Sequence, residues 1–95
     1  MFSHVMVGAN NIEESRVFYD KIFKVLGAEP GKMYPNLSGQ KRYFYNFKGT
    51  TFCITEPIDG KPATVSNGAT IGFNIDNTEQ GDAWHKAGIE NGGIS

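Results

Sequence analysis

Apolar and polar positions alternate at the start of the chain. Val5 and Val7 share one face while His4, Met6 and Gly8 share the other, so residues 2–8 predict a short strand. From Ile12 the period changes. Phe18, Ile22 and Leu26 recur at four-residue spacing with Tyr19 and Phe23 beside them, which predicts an amphipathic helix over residues 12–26. Asn11 and Glu14 have capping-box spacing, Glu13 and Glu14 place negative charge in the first turn, and Gly27 is the natural stop. The helix is expected to pack on the Val5/Val7 face and leave His4 and Met6 turned away.

The pattern then loosens. Residues 28–41 hold Pro30, Gly31, Pro35, Asn36 and Gly39 and predict a loop, with Met33-Tyr34 as a short strand inside it. Residues 42–48 and 50–56 predict two strands joined by a hairpin at Lys48-Gly49. In the second of these, Phe52, Ile54 and Glu56 share one face, and Thr51, Cys53 and Thr55 share the other. Residues 57–68, with Asp59-Gly60, Pro62 and Ser66-Asn67-Gly68, form a connector.

Beyond it the opening pattern returns. A shift of 66 positions pairs Val5 with Ile71, Val7 with Phe73, Asn11 with Asn77, Phe18 with Trp84 and Gly27 with Gly93. A strand over residues 69–75, a cap at Asn77 and a second helix are therefore expected, the helix weakened by Gly81 and Gly88. The chain divides as one domain, 1–95, with a first unit at 1–66 and the start of an incomplete second at 67–95. By the period, a complete copy would end at about residue 132.

Composition narrows the function. At 95 residues, 39% hydrophobic and 13% aromatic, the chain can bury one real core. A net charge of −1 gives no reason to expect nucleic acid or an anionic membrane as partner. One cysteine, Cys53, excludes an internal disulfide framework and suits a reducing compartment. No leader-like or membrane-length apolar run is present, so a soluble, cytoplasmic protein is expected. Phosphate-cradling glycine loops, zinc-finger spacings and a serine nucleophile elbow are all missing.

The order strand, helix, two or three strands, connector, strand, helix resembles the βαβββ module of the glyoxalase/bleomycin-resistance/extradiol-dioxygenase superfamily, the vicinal oxygen chelate proteins. The resemblance is carried by Ser3-His4-Val5-Met6-Val7, by Asn11-Ile12-Glu13-Glu14-Ser15 with Phe18-Tyr19, and by residues 52–57. Asp59-Gly60, Pro62-Ala63-Thr64 and residues 67–73 extend it over nearly the whole chain. It implies an α+β fold in which a cupped mixed sheet carries its helices on the outer face. It also implies a homodimer, with exchanged elements as one form, because an incomplete second module leaves sheet edges unpaired.

In that superfamily a divalent metal typically sits in the cup, held by His or Glu from the first and last strands of each module. His4 occupies the first such position, with a hydrogen-bonded structural histidine as the plainer reading. Thr70 falls opposite it under the 66-residue shift, where a hydroxyl is a poor ligand. The acidic position on the fourth strand falls on Cys53, beside Thr55. Glu56 is on the other face, and only a one-residue register slip would turn it inward, so the register of residues 51–56 decides whether His4 and Glu56 can both be ligands. Cys53 is expected as a buried thiol, Trp84 as core, and His85 and Arg42 as solvated. Of Tyr43, Phe44 and Tyr45, whichever face turns inward supplies an aromatic ring.

The leading expectation is a small organic molecule bound in the cup by His4, Met6, Tyr43 or Phe44, Cys53, Thr55 and Thr70, without a cofactor. The bleomycin-resistance members imply sequestration of a toxic compound in a dimer cleft. Two alternatives stand beside it. One is a metal-dependent lyase, isomerase or dioxygenase whose divalent-metal site is completed by a second chain. The other is a non-functional fragment held together by association.

Overall fold

Asn11 caps the first helix as its spacing requires. Its Oδ1 accepts the Glu14 backbone N–H at 3.2 Å, and its Nδ2 donates to Glu14 Oε2 at 3.2 Å. At the other end Gly27 takes a left-handed φ of 95°, and the Ala28 N–H reaches back to Phe23 O at 3.0 Å, which closes the last turn. These two caps delimit α1, Ile12–Leu26, in the computed structural model, which describes residues 2–64 and 68–93.

The remaining elements are β1 (Val5–Gly8), β2 (Lys32–Met33), β3 (Arg42–Phe47), β4 (Thr50–Thr55) and α2 (Thr78–Glu90). The four strands form one mixed sheet in the order β1-β4-β3-β2, with β1 parallel to β4 and the other pairs antiparallel. The α+β architecture is thus the expected one. The β3–β4 turn places Lys48 and Gly49 at φ 48° and 80°, the doubly left-handed turn that matches strand twist.

The pleat sorts the side chains. Tyr43, Tyr45, Phe52 and Ile54 face α1 and are buried with its Ile12, Ile22 and Phe23 and with Ala9. Phe23 is the hub, with ring centroids 5.0–5.5 Å from Tyr19, Tyr45, Phe52 and Phe73. Both helices lie on this side of the sheet, and α2 packs on α1, with Gly88 facing Ile22.

Residues 69–75 do not form the expected strand. The segment is anchored by Phe73, whose ring enters the core between Phe23, Phe52 and Trp84. That seats it on the helix layer instead of in the four-stranded sheet. The cap that follows is as expected: Asn77 Oδ1 accepts the Gln80 N–H at 2.8 Å. The helix stops at Glu90, earlier than Gly93, because Asn91 caps it and Gly92 takes the left-handed turn at φ 103°. Ser66 and Asn67 of the connector lie outside the described residues. Among the described residues no helix is long and apolar enough to cross a membrane.

Candidate functional site

The face of the sheet turned away from the helices carries the other half of the pleat. Strand register aligns Met6, Cys53 and Phe44 in one row across β1, β4 and β3. The next row is Gly8, Thr55 and Arg42, and Thr51 pairs with Asn46 on the other side. His4, one residue before β1, continues the strand's alternation and stands at the Thr51 end of this face.

Each member has a distinct environment. Phe44 lies under the Arg42 guanidinium, 5.1 Å from its ring centroid, and meets the Tyr34 ring edge-on at 5.7 Å. Arg42 is not free: it donates to Tyr34 O at 2.9 Å and Pro35 O at 3.4 Å, so a wall is pinned along the β3 side. Cys53, at the centre of the row, has no exposed surface, and burial pushes its thiol up from the ordinary value. Met6 is 39% exposed and forms the accessible apolar floor. Thr55 donates to Glu56 O at 2.7 Å, and Thr51 pairs with Asn46 Oδ1 at 2.6 Å.

The connector bounds the far end. A Cβ on Gly8 would stand 3.1 Å from Ala63 Cβ and 3.6 Å from Pro57 Cγ. Asn10 holds the connector there, accepting the Ala63 N–H at 2.7 Å.

The alternation of His4, Met6, Cys53 and Thr55 onto one face follows directly from the pleat. Of the two aromatics considered, Phe44 lies on this face, and Tyr43 turns to α1. There its hydroxyl donates to Glu13 at 2.6 Å. The segment carrying Thr70 packs through Phe73 on the helix side instead of joining the Met6–Phe44 row.

The proposed metal donors stand apart within one chain. His4 sits beside Thr51, and Glu56 lies beyond Thr55, five residues further along β4, or ~16 Å at strand rise. Glu56 is also engaged: its Oε1 accepts the Lys41 N–H at 2.7 Å and its own N–H donates to Lys41 O at 3.0 Å. No slip brings it inward. Metal–ligand bonds of ~2.0–2.6 Å cannot be made from both residues of one chain to one ion. Among the described residues no group of three or more His, Cys, Asp or Glu side chains converges. His4 and Glu56 of a single chain therefore do not share one ion.

Two features were not visible in the sequence. One is the polar seam between α1 and β3, in which Glu13, Arg16 and Asp20 hold Tyr43 and Tyr45. The other is a cleft on the helix side of the sheet, closed in part by Phe73. Both join residues far apart in the chain, so no local signal announces them.

No family model matches the sequence, and no curated protein matches it. Among solved structures, the crystal structure of a glyoxalase/bleomycin resistance protein from Albidiferax ferrireducens T118 is similar to it at 53% identity and a TM-score of 0.85. The match covers 97% of this chain and 72% of that one.

Proposed function

The chain belongs to the glyoxalase/bleomycin resistance family, and from that membership we propose that it binds a small organic molecule on the open face of its sheet, without metal chemistry. The observation that carries this reading is the Met6–Cys53–Phe44 row, an apolar floor with a fixed aromatic ring. It is walled by Arg42 and Tyr34 on one side and by Pro57 and Ala63 at one end. Such a surface offers ring stacking and dispersion at its centre and hydrogen bonding at His4 and Thr51 on its rim. A compound held there would be sequestered, not transformed.

A second copy of the chain completes the reading. Among the described residues no helix lies on one face of the sheet, and no strand pairs with the outer edge of β1. Association would shelter both and turn an open face into a cleft. The lone free thiol suits residence in the cytoplasm.

The test begins with metals. Metal-stripped protein is titrated calorimetrically with Ni, Zn, Mn and Fe(II), alongside His4→Ala. Heats indistinguishable from dilution are expected. Tight stoichiometric binding lost in His4→Ala would sink the reading and favour a lyase, isomerase or dioxygenase with a site shared between chains. A panel of planar organic compounds follows, with Phe44→Ala expected to weaken whichever binds by about tenfold, the loss of one well-packed aromatic contact.

A further inference from the structure

We infer that the protein has a second binding site, on the helix side of the sheet, for a small, neutral aromatic molecule. The site is a cleft of about 320 Å³ between the C-terminal end of α1, the β3–β4 hairpin and residues 71–76. This volume sits at the lower end of the ~300–1,000 Å³ typical of small-molecule pockets. It lies across the sheet from the Met6–Phe44 row, so it stands or falls independently of the open face.

Its walls are aromatic. Phe23, Phe52 and Phe73 meet one another edge-to-face at 5.1–5.5 Å and present their remaining surface to the cleft, with Phe47 opposite. Small residues keep it from filling. Ala28 contributes one methyl group to the wall, and a Cβ added at Gly72 would meet nothing within 4 Å. Apolar walls without partner atoms forgo dispersion contacts that a flat ring would restore.

Charge at the mouth selects the class of occupant. Lys48 Nζ and Asp76 Oδ1 stand 3.5 Å apart there, both 64% exposed, and the ammonium also lies 5.2 Å from the Phe47 ring centroid. The pair has no net charge, so it attracts neither anions nor cations, but it can hydrogen-bond a hydroxyl or amide at the edge of a ring. Gln80 is already committed, donating to Val25 O at 3.3 Å and accepting the Asp76 N–H at 2.6 Å. An exposed ion pair of this kind is worth little, so its opening does not bar entry.

The experiment uses 1-naphthol as a neutral probe and 1-naphthoate as its charged counterpart, titrated into the full chain. Binding is followed by fluorescence and located by amide shift mapping. Saturable binding of naphthol is expected, tighter than that of naphthoate, with shifts at Phe47, Lys48, Phe73 and Asp76. Ala28→Phe should fill the space and weaken naphthol at least tenfold. Asp76→Asn, exposed and harmless to folding, should move the preference about threefold towards naphthoate by leaving Lys48 unopposed. Shifts confined to Met6, Phe44 and Cys53 would overturn the inference, as would absence of saturation or an Asp76→Asn variant with unchanged preference. So would naphthol affinity that falls as sedimentation shows self-association, because a second copy would then be the occupant.

Discussion

A Cβ at Gly31 would stand 2.7 Å from Tyr45 Cζ and 2.9 Å from its hydroxyl oxygen. The ring cannot yield easily, because its hydroxyl donates to Asp20 Oδ1 at 2.7 Å while the same oxygen accepts the Gly31 N–H at 3.0 Å. Gly31→Ala should therefore destabilise the protein by about 1–3 kcal/mol, the range for overpacking, as measured by urea denaturation. In the sequence Gly31 is only one breaker among several, since the ring that confines it lies fourteen residues away. Glu13 shows the same kind of pairing with an electrostatic signature. The Tyr43 hydroxyl first, and Arg16 second, hold its carboxyl below the ordinary value of 4.5. A depressed folded pKa contributes stability that is present above the ordinary carboxylate range and lost as pH falls through the folded value. Tyr43→Phe should raise the Glu13 pKa towards 4.5 in an NMR titration of the carboxyl carbon; an unchanged value would show that the hydroxyl is not its cause. Cys53 has the opposite sign. Its raised folded pKa leaves stability undiminished below the ordinary thiol range and erodes it as pH rises from that range through the folded value. With no exposed surface, the thiol should resist iodoacetamide in the native protein and react only on unfolding.

Elements whose signals are local were legible in the sequence. Asn11, Glu14 and Gly27 delimit α1 because caps act within a single turn, and Lys48-Gly49 sets the hairpin because its dihedrals demand it. The parity of Met6, Cys53 and Thr55 was legible too, since it needs only the pleat. Residues 69–75 were not, because strand identity requires a partner and their alternation serves instead to send Phe73 into the core. Of the two glycines of α2, Gly81 has a tertiary meaning that propensity conceals. A Cβ at Gly81 would meet Ile75 Cδ1 at 2.6 Å, so Gly81 makes room for Ile75 over the first turn. At Gly88 a Cβ would meet Ile22 Cγ2 at 3.9 Å, an ordinary van der Waals distance. Gly88→Ala should accordingly stabilise the protein by about 0.5–1 kcal/mol through helix propensity, and Gly81→Ala should gain less or lose stability. Thermal unfolding of the two variants side by side tests the contrast; equal effects would mean that Ile75 does not rest on Gly81.

The burial pattern of the whole molecule is lopsided. The fully packed layer lies between α1 and the sheet, whereas α2 has no buried residue and its Trp84 Nε1 is enclosed without a hydrogen-bond partner among the described residues. Amides of α2 should therefore exchange with solvent well before those of α1 and β4, since local opening there exposes little apolar surface. On the opposite side, Met6 leaves 39% of its surface exposed on a strand whose outer edge has no described partner. An edge of this kind is a template for another chain, and an apolar floor beside it adds surface for that chain to bury. Sedimentation equilibrium from micromolar to millimolar protein should thus report a reversible dimer. Met6→Lys places a charge in the middle of that floor, pointing away from the helix layer, so it should weaken the dimer without unfolding the monomer. A wild-type chain that stays monomeric throughout would remove the second copy from the functional reading and leave the ligand face open to solvent. If Met6→Lys leaves the dimer intact, association runs through the helix side. The cleft beside Phe73, not the Met6–Phe44 row, would then be the surface that a partner closes.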